Sequence, residues 1–313
     1  MRMTLLVACL WFATSPLWGK IVFYSKQHET TEVHTMDSDG TNQTQLTFND
    51  VSDSFPAWSP NGQQIVFHST RDGNWEVYVM DADGSNPRNL TRHPANDNYP
   101  DWSPDGSRIA FDSARGDGAI NLYVMDTDGN NMKQLTHMRI EHWELASKPK
   151  WSPDGEWILF ERGQIYAIRP DGTELWQVSI PRLNATMFLG GWSPDGKRVL
   201  YTEAVNLNIN TSFPVIATLA PNGRAEVISW KHVKVPRMPF DSAAFSVDGK
   251  SILFSGKKDD AENIYRFGLV DKQLIQLTNN PGTDAAPQEW DSRLLVSPQA
   301  LTSTHWGEIK TTR

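Results

Sequence analysis

Four aspartates recur shortly before aromatic residues: Asp53 and Asp97 lie five ahead of a Trp, Asp241 four ahead of Phe245, and Asp284 six ahead of Trp290. Carboxylates at the starts of equivalent strands around a shared tunnel could hold a hard cation such as Ca2+, which takes oxygen ligands. Alternatively each simply accepts hydrogen bonds from loop amides. The set is incomplete, because Ala146 and Met187 stand five ahead of Trp151 and Trp192. Asp81-Ala82-Asp83-Gly84 lacks the later ligands of a calcium loop and reads as a turn. His137, Glu141 and His142 lie close together, but their spacing is not that of a zinc site. His68, His93 and His232 are scattered. No Gly-x-Ser-x-Gly elbow is present, and the single cysteine, Cys9, lies in an apolar leader. A mature chain without that leader would have neither a thiolate nucleophile nor a disulfide. These residues point to binding rather than catalysis.

The elements that must position them come from a chain of 313 residues with 39% hydrophobic residues, 13 Trp and 13 Phe, enough for a substantial core. The net charge of −8 argues against a partner held through phosphates, such as nucleic acid. Residues 1–19 read as a signal peptide: Arg2, an uncharged apolar run from Met3 to Ala13, then small and turn-forming residues up to Gly19. That run is too short to span a bilayer, so the chain is not expected to span a membrane. Leu6-Val7-Ala8-Cys9 resembles a lipoprotein box, but the apolar run continues past it. The expectation is therefore a soluble protein of the periplasm or the exterior.

Trp58-Ser59-Pro60-Asn61-Gly62 recurs at Trp102, Trp151 and Trp192 as Trp-Ser-Pro-Asp-Gly, weakly at Phe245, and in truncated form at Trp290, with spacings of 44, 49, 41, 53 and 45 residues. Each of the first five is followed by a strand-like run, such as Ile65-Val66-Phe67. A second run follows, then an Asp-Gly turn in the clearer copies and a segment ending in Leu-Thr. Proline presets φ and glycine accepts positive φ, so each motif makes a tight hairpin. Four short strands per repeat, A to D, cannot bury both faces of one sheet, but radial packing of several sheets can.

These repeats resemble those of TolB-like propellers, relatives of the WD-type repeat. The resemblance covers about Lys20 to Ser297 and implies an all-β propeller of four-stranded blades, with signal 1–19, propeller 20–297 and a tail 298–313. Six blades are favoured and seven remain open. A strand from Ala285 to Trp290 would complete the first blade, beside the strand from Ile21 to Ser25. The resemblance extends to prolyl-oligopeptidase-type peptidases, whose hydrolase domain is not evident here. TolB proper also carries an α/β domain ahead of the propeller, so the Tol–Pal role does not transfer.

In such blades the A–B and C–D turns share one face, which here is uniform. The B–C and D–A connections on the other face vary, and binding concentrates on variable loops. This places candidate contacts at His142, Trp143, Glu144, Trp230, Lys231, His232 and Arg237, since Trp and Arg are typical interface anchors. Aromatic packing over blade edges is the alternative reading. The function expected is that of a monomeric, non-catalytic module for a protein or envelope partner. A lyase on a uronate polymer is the alternative, because some propellers related by repeat are such enzymes.

Overall fold

The computed structural model describes residues 19–26, 29–116, 118–139, 145–180, 185–205, 212–221, 226–235 and 240–292, and is all-β over them. The first strands are β1 (Lys20–Lys26), β2 (Glu32–Asp37) and β3 (Thr44–Gln45). A four-stranded antiparallel meander follows: β4 (Asp53–Trp58), β5 (Gln64–Ser69), β6 (Glu76–Asp81) and β7 (Arg88–Asn89). The same meander recurs as β8 (Asp97–Trp102), β9 (Arg108–Ser113), β10 (Asn121–Asp126) and β11 (Lys133–Gln134). It returns as β12 (Ser147–Trp151), β13 (Ile158–Arg162), β14 (Gln164–Ile168) and β15 (Trp176–Gln177). A further copy comprises β16 (Ala185–Trp192), β17 (Arg198–Val205), β18 (Ser212–Leu219) and β19 (Val227–His232).

The remaining sheet has eight strands. One half is β20 (Phe240–Phe245), β21 (Ser251–Lys258), β22 (Ala261–Gly268) and β23 (Leu274–Gln276). The other half is β24 (Thr283–Trp290) beside β1, β2 and β3, joined to the first through a parallel pair, Glu262 with Thr283. β24 runs antiparallel to β1 from Lys20↔Trp290 to Lys26↔Thr283, so the two ends of the described chain share a sheet.

The core lies between sheets rather than inside one. Ala57, Val66 and Val79 of one meander pack on Trp102, Ile109 and Phe111 of the next. Equivalent layers follow the chain, and Ile21, Phe23 and Met36 meet Leu253, Ile264 and Leu277 across its ends. The first strand of each unit packs on that of the next, β4 on β8, β8 on β12, β12 on β16, β16 on β20, β20 on β24, and β24 on β4.

Both glycine turns serve these contacts as well as their hairpins. Gly106, Gly155, Gly196 and Gly249 each face the proline of the preceding unit's turn (Pro60, Pro104, Pro153 and Pro194), with φ between 67 and 74°. At Gly62 that neighbour is the indole of Trp290. The glycines of the Asp-Gly turns lie against a leucine carbonyl of the preceding unit: Gly84 on Leu46, Gly129 on Leu90, and Gly40 on Leu277. The Leu-Thr ending also has a structural cause. Thr47, Thr91, Thr136 and Thr278 accept the N–H of Val33, Val77, Leu122 and Ile264 at 2.9–3.0 Å. Each hydroxyl then donates to a buried Glu or Asn at the start of the third strand, as Thr136 does to Asn121 at 3.0 Å. These four hydroxyls thus pair backbone amides and side chains that burial would otherwise leave without water.

Candidate functional site

Each first strand carries a bulge. The register slips between Ser54 and Ala57 in β4, between Asn98 and Asp101 in β8, and between Ser147 and Lys150 in β12. Phe55, Tyr99 and Lys148 take the added position with φ of 50, 51 and 53°, each followed by a proline that has no N–H to leave unpaired. Side chains of the preceding unit accept the bulge amides. Tyr99 N–H donates to His68 Nδ1 at 3.2 Å, Lys148 N–H to Asp112 Oδ2 at 3.1 Å, and Leu189 N–H to Glu161 Oε1 at 2.7 Å.

These acceptors are structural. His68 is buried beside the rings of Phe55, Trp75 and Tyr99, and burial pushes its pKa down to about 3. The imidazole is therefore neutral, with Nδ1 as acceptor and the proton assigned to Nε2. Burial, aided by the charges of Asp97 and Glu161, pushes the Asp112 carboxyl up to about 8, against the Lys148 amide and the Asn98 side chain. A raised carboxyl holds its proton in the folded chain after the unfolded chain has lost it. Its stabilising contribution is thus complete at acid pH and is lost as pH rises toward 8. Asp112→Asn is expected to change stability little near pH 4 and to raise it near pH 8, by on the order of a few kcal/mol. Denaturant titrations at both pH values check this, and parallel curves for the two proteins would contradict it.

The bulges line a cavity of about 400 Å3 where the first strands meet. Phe55, Tyr99, Leu189 and Ala286 form its inner wall, and it extends past Trp58, Trp102, Trp151 and Trp192 to Pro60, Pro104, Pro153 and Pro194. The cavity therefore reaches the face of the Ser-Pro turns. Its four charged side chains are paired. Lys150 Nζ meets Asp101 Oδ1 at 2.9 Å, Lys148 Nζ meets Glu161 at 3.3 Å, and Glu289 meets Arg266 at 2.6 Å. Asp101 and Gln288 also tie adjacent units, accepting the Trp151 and Trp58 amides at 2.8 and 2.6 Å. The result is an aromatic, proline-lined recess with neutralised charges, suited to apolar contact and shape.

The residues singled out by sequence are distributed differently. Asp53, Asp97 and Asp284 are fully buried at the starts of β4, β8 and near the start of β24, outside the cavity lining. Asp53 accepts Arg71 at 2.8 Å and Asn49 at 2.7 Å, Asp97 accepts Arg115 at 2.6 Å, and Asp284 accepts Asn280 at 2.6 Å. Among the described residues no group of three His, Cys, Asp or Glu side chains is placed to hold a metal. Each of the three is tied into its own unit through Oδ2, two of them by a guanidinium, and each has a buried Oδ1 outside those bonds. The Asp241 side chain lies outside the described residues, as do His142, Trp143, Glu144 and Arg237.

Trp230, Lys231 and His232, read from sequence as part of a variable connection, belong to the outermost strand β19, and all three are exposed. Val227-Ile228-Ser229 extends the ladder that carries them. The repeat anchors Trp58, Trp102, Trp151, Trp192 and Phe245 end their strands in one register, opposite Ile65, Ile109, Ile158, Val199 and Ile252. Trp290 is displaced by one residue. Glu289 pairs with Ile21 at the equivalent position, and Asp284 then falls five residues before it, in step with Asp53 and Asp97. Sequence reasoning missed the bulge residues and their acceptors. The recurring proline two residues into Phe55-Pro56-Ala57 and Tyr99-Pro100-Asp101 was the available signal.

Repeated four-stranded meanders, layered face to face with their first strands lining one recess, define a β-propeller. Residues 48–164 match the family described as the TolB beta propeller domain, and the fold of the described residues is that of a TolB-like β-propeller. Among solved structures it is similar to TolB from Acinetobacter baumannii (18% identity, TM-score 0.69), covering 87% of this chain and 66% of that one. It is also similar to hydrazine synthase from Kuenenia stuttgartiensis (15%, TM-score 0.68), covering 90% and 47%, respectively. An oligogalacturonate lyase in complex with manganese is similar at 13% identity and TM-score 0.57, covering 82% and 73%. The chain thus spans just under two thirds of that TolB and about half of the hydrazine synthase chain. At these identities the likeness is one of fold. No curated protein matches the chain in sequence. Among the described residues no helix is long and apolar enough to cross a membrane.

Proposed function

We propose that the protein is a non-catalytic, exported propeller of six blades that engages a protein or cell-envelope partner. The six-blade reading is supported by the six first strands that pack in sequence, β24 returning onto both β1 and β4. Export to the periplasm or beyond is supported by the apolar leader, with Lys20 as the first residue of the mature chain. The observation that carries the binding role is the axial recess, whose aromatic and proline wall offers shape and apolar surface without unpaired charge. This moves the favoured contact from the variable-loop face to the face of the Ser-Pro turns.

The lyase alternative draws support from the fold shared with the oligogalacturonate lyase, but needs converging ligands. His34, His68 and His232 lie on separate sheets, and His68 is occupied as an amide acceptor.

Filling the recess tests the proposal. Ala244 lines it from β20 and is partly exposed, so Ala244→Trp places an indole in the recess. Wild-type protein is expected to capture its partner from a native envelope extract, and Ala244→Trp to lose that capture while keeping its melting temperature within a few degrees. Equal capture by a folded Ala244→Trp would reject the recess as the site.

A further inference from the structure

The outermost strands of this fold are short, with one exception. β3, β7, β11 and β15 are two residues long and β23 is three, whereas β19 has six. Among the described residues β19 pairs with β18 alone, so its outer edge ends the sheet. It is also apolar and aromatic where it meets solvent. Ile228 is 60% and Trp230 42% exposed, and Phe213 on the adjacent strand is 49% exposed. The His232 ring sits between them, 5.3 Å from Trp230 and 5.9 Å from Phe213. A long edge with exposed apolar side chains is a template for another strand, and folds ordinarily blunt it. Here four of the other five outer strands are cut to two residues while this one is extended.

Charge narrows the occupant. Lys231 and Lys234 are exposed on or beside β19, in a chain whose net charge is −8. β19 itself carries Lys231 and no carboxylate, the exposed Glu226 standing just ahead of it. An acidic strand would set carboxylates beside those ammonium groups while its backbone completes the ladder.

We propose that β19 is a docking edge for an extended, acidic segment of a partner protein, added as a fifth strand to this sheet. Main-chain hydrogen bonds supply the affinity, Ile228 and Trp230 supply apolar contact on alternate positions, and Lys231 and Lys234 select for carboxylates. The edge is separate from the axial recess, which no residue of β19 lines. The proposal therefore stands or falls independently of the recess.

The probe is a fluorescein-labelled octapeptide of alternating Glu and Val, followed by anisotropy. It is expected to bind the wild-type chain, more weakly as salt is raised from about 50 to about 500 mM. Lys231→Glu with Lys234→Glu is expected to weaken binding by about tenfold or more, with both side chains exposed and the fold unaffected. The same peptide N-methylated at alternate residues should not bind, since it lacks the donors a ladder needs. Ala244→Trp should bind it as the wild type does. No binding to the wild type, equal binding of the methylated peptide, or equal binding to the double charge variant would each overturn the proposal. Loss of binding in Ala244→Trp would do so too, because it would place the peptide in the recess.

Discussion

Replacing Gly62 by alanine is expected to destabilise the protein by about 2–5 kcal/mol and to lower its melting temperature by on the order of 5–10 °C. Two causes act at once. Gly62 has a φ of 67°, where a side chain strains the backbone by about 1 kcal/mol or more. Its Cβ would also lie within 2.6 Å of three atoms of the Trp290 indole. That indole cannot easily retreat, since it packs on Trp58 at 6.1 Å and its Nε1–H donates to the Pro60 carbonyl at 2.9 Å. Gly73 separates the two causes, because it has a φ of 98° with no atom within 4 Å of an added Cβ. Gly73→Ala is therefore expected to show the backbone strain alone, about 1–2 kcal/mol. Trp290→Ala, which costs stability by itself, should also relieve the clash at Gly62. The double variant is then expected to be more stable than the sum of the singles implies, by about 1–3 kcal/mol. Strict additivity would mean that Trp290 does not latch the end of the described chain onto the turn at Gly62.

That latch shows where sequence reading succeeded and where it stopped. The repeat was legible because turn chemistry is local: proline and glycine at fixed offsets announce a hairpin wherever they stand, and the strands beside them came out within a residue or two. Pairing of the strand near Lys20 with the one ending at Trp290 followed from the same bookkeeping of strands. The role of each glycine was hidden, since its second partner lies a whole unit away, as Pro60 does for Gly106 and Leu46 for Gly84. Trp290 was taken as a sixth anchor because Trp is the anchor elsewhere. Ala286 holds the bulge position that Phe55 holds in β4, so Glu289 stands where Trp58 does and Trp290 falls one residue beyond. The partners of Asp53 and Asp97 were hidden because each guanidinium stands 18 residues further along the chain. Arg71 and Arg115 each follow a serine by two residues, which was the overlooked signal. β19 was obscured because Val227–His232 lacks the Leu-Thr ending that marks the outer strand in other units.

The buried Asp–Arg pairs carry the second large effect. Arg115 reaches Asp97 at 2.6 Å, its Nε donates to Ser113 Oγ at 2.9 Å, and its guanidinium lies over Phe111 and Tyr123 at 5.5 and 5.3 Å. Asp97 has no exposed surface, and burial already raises its carboxyl above the usual range despite the neighbouring guanidinium. Arg115→Met removes the countercharge and leaves a buried carboxylate, at a cost of about 3–5 kcal/mol. Without Arg115 the carboxyl rises further, and a raised carboxyl loses its stabilising contribution as pH increases through the folded value. The deficit should therefore be small near pH 4 and complete near pH 8. Asp97→Asn added to Arg115→Met should recover much of the loss and remove its pH dependence, since the amide carries no charge to bury. Arg169→Met provides the contrast. Arg169 pairs with Glu156 at 2.7 Å, but that glutamate is 64% exposed, and about 1 kcal/mol or less is expected from the pair. Denaturation of the four proteins at both pH values decides the matter. A pH-independent loss in Arg115→Met would show that its stacking on Phe111 and Tyr123, rather than its charge on Asp97, holds this blade together.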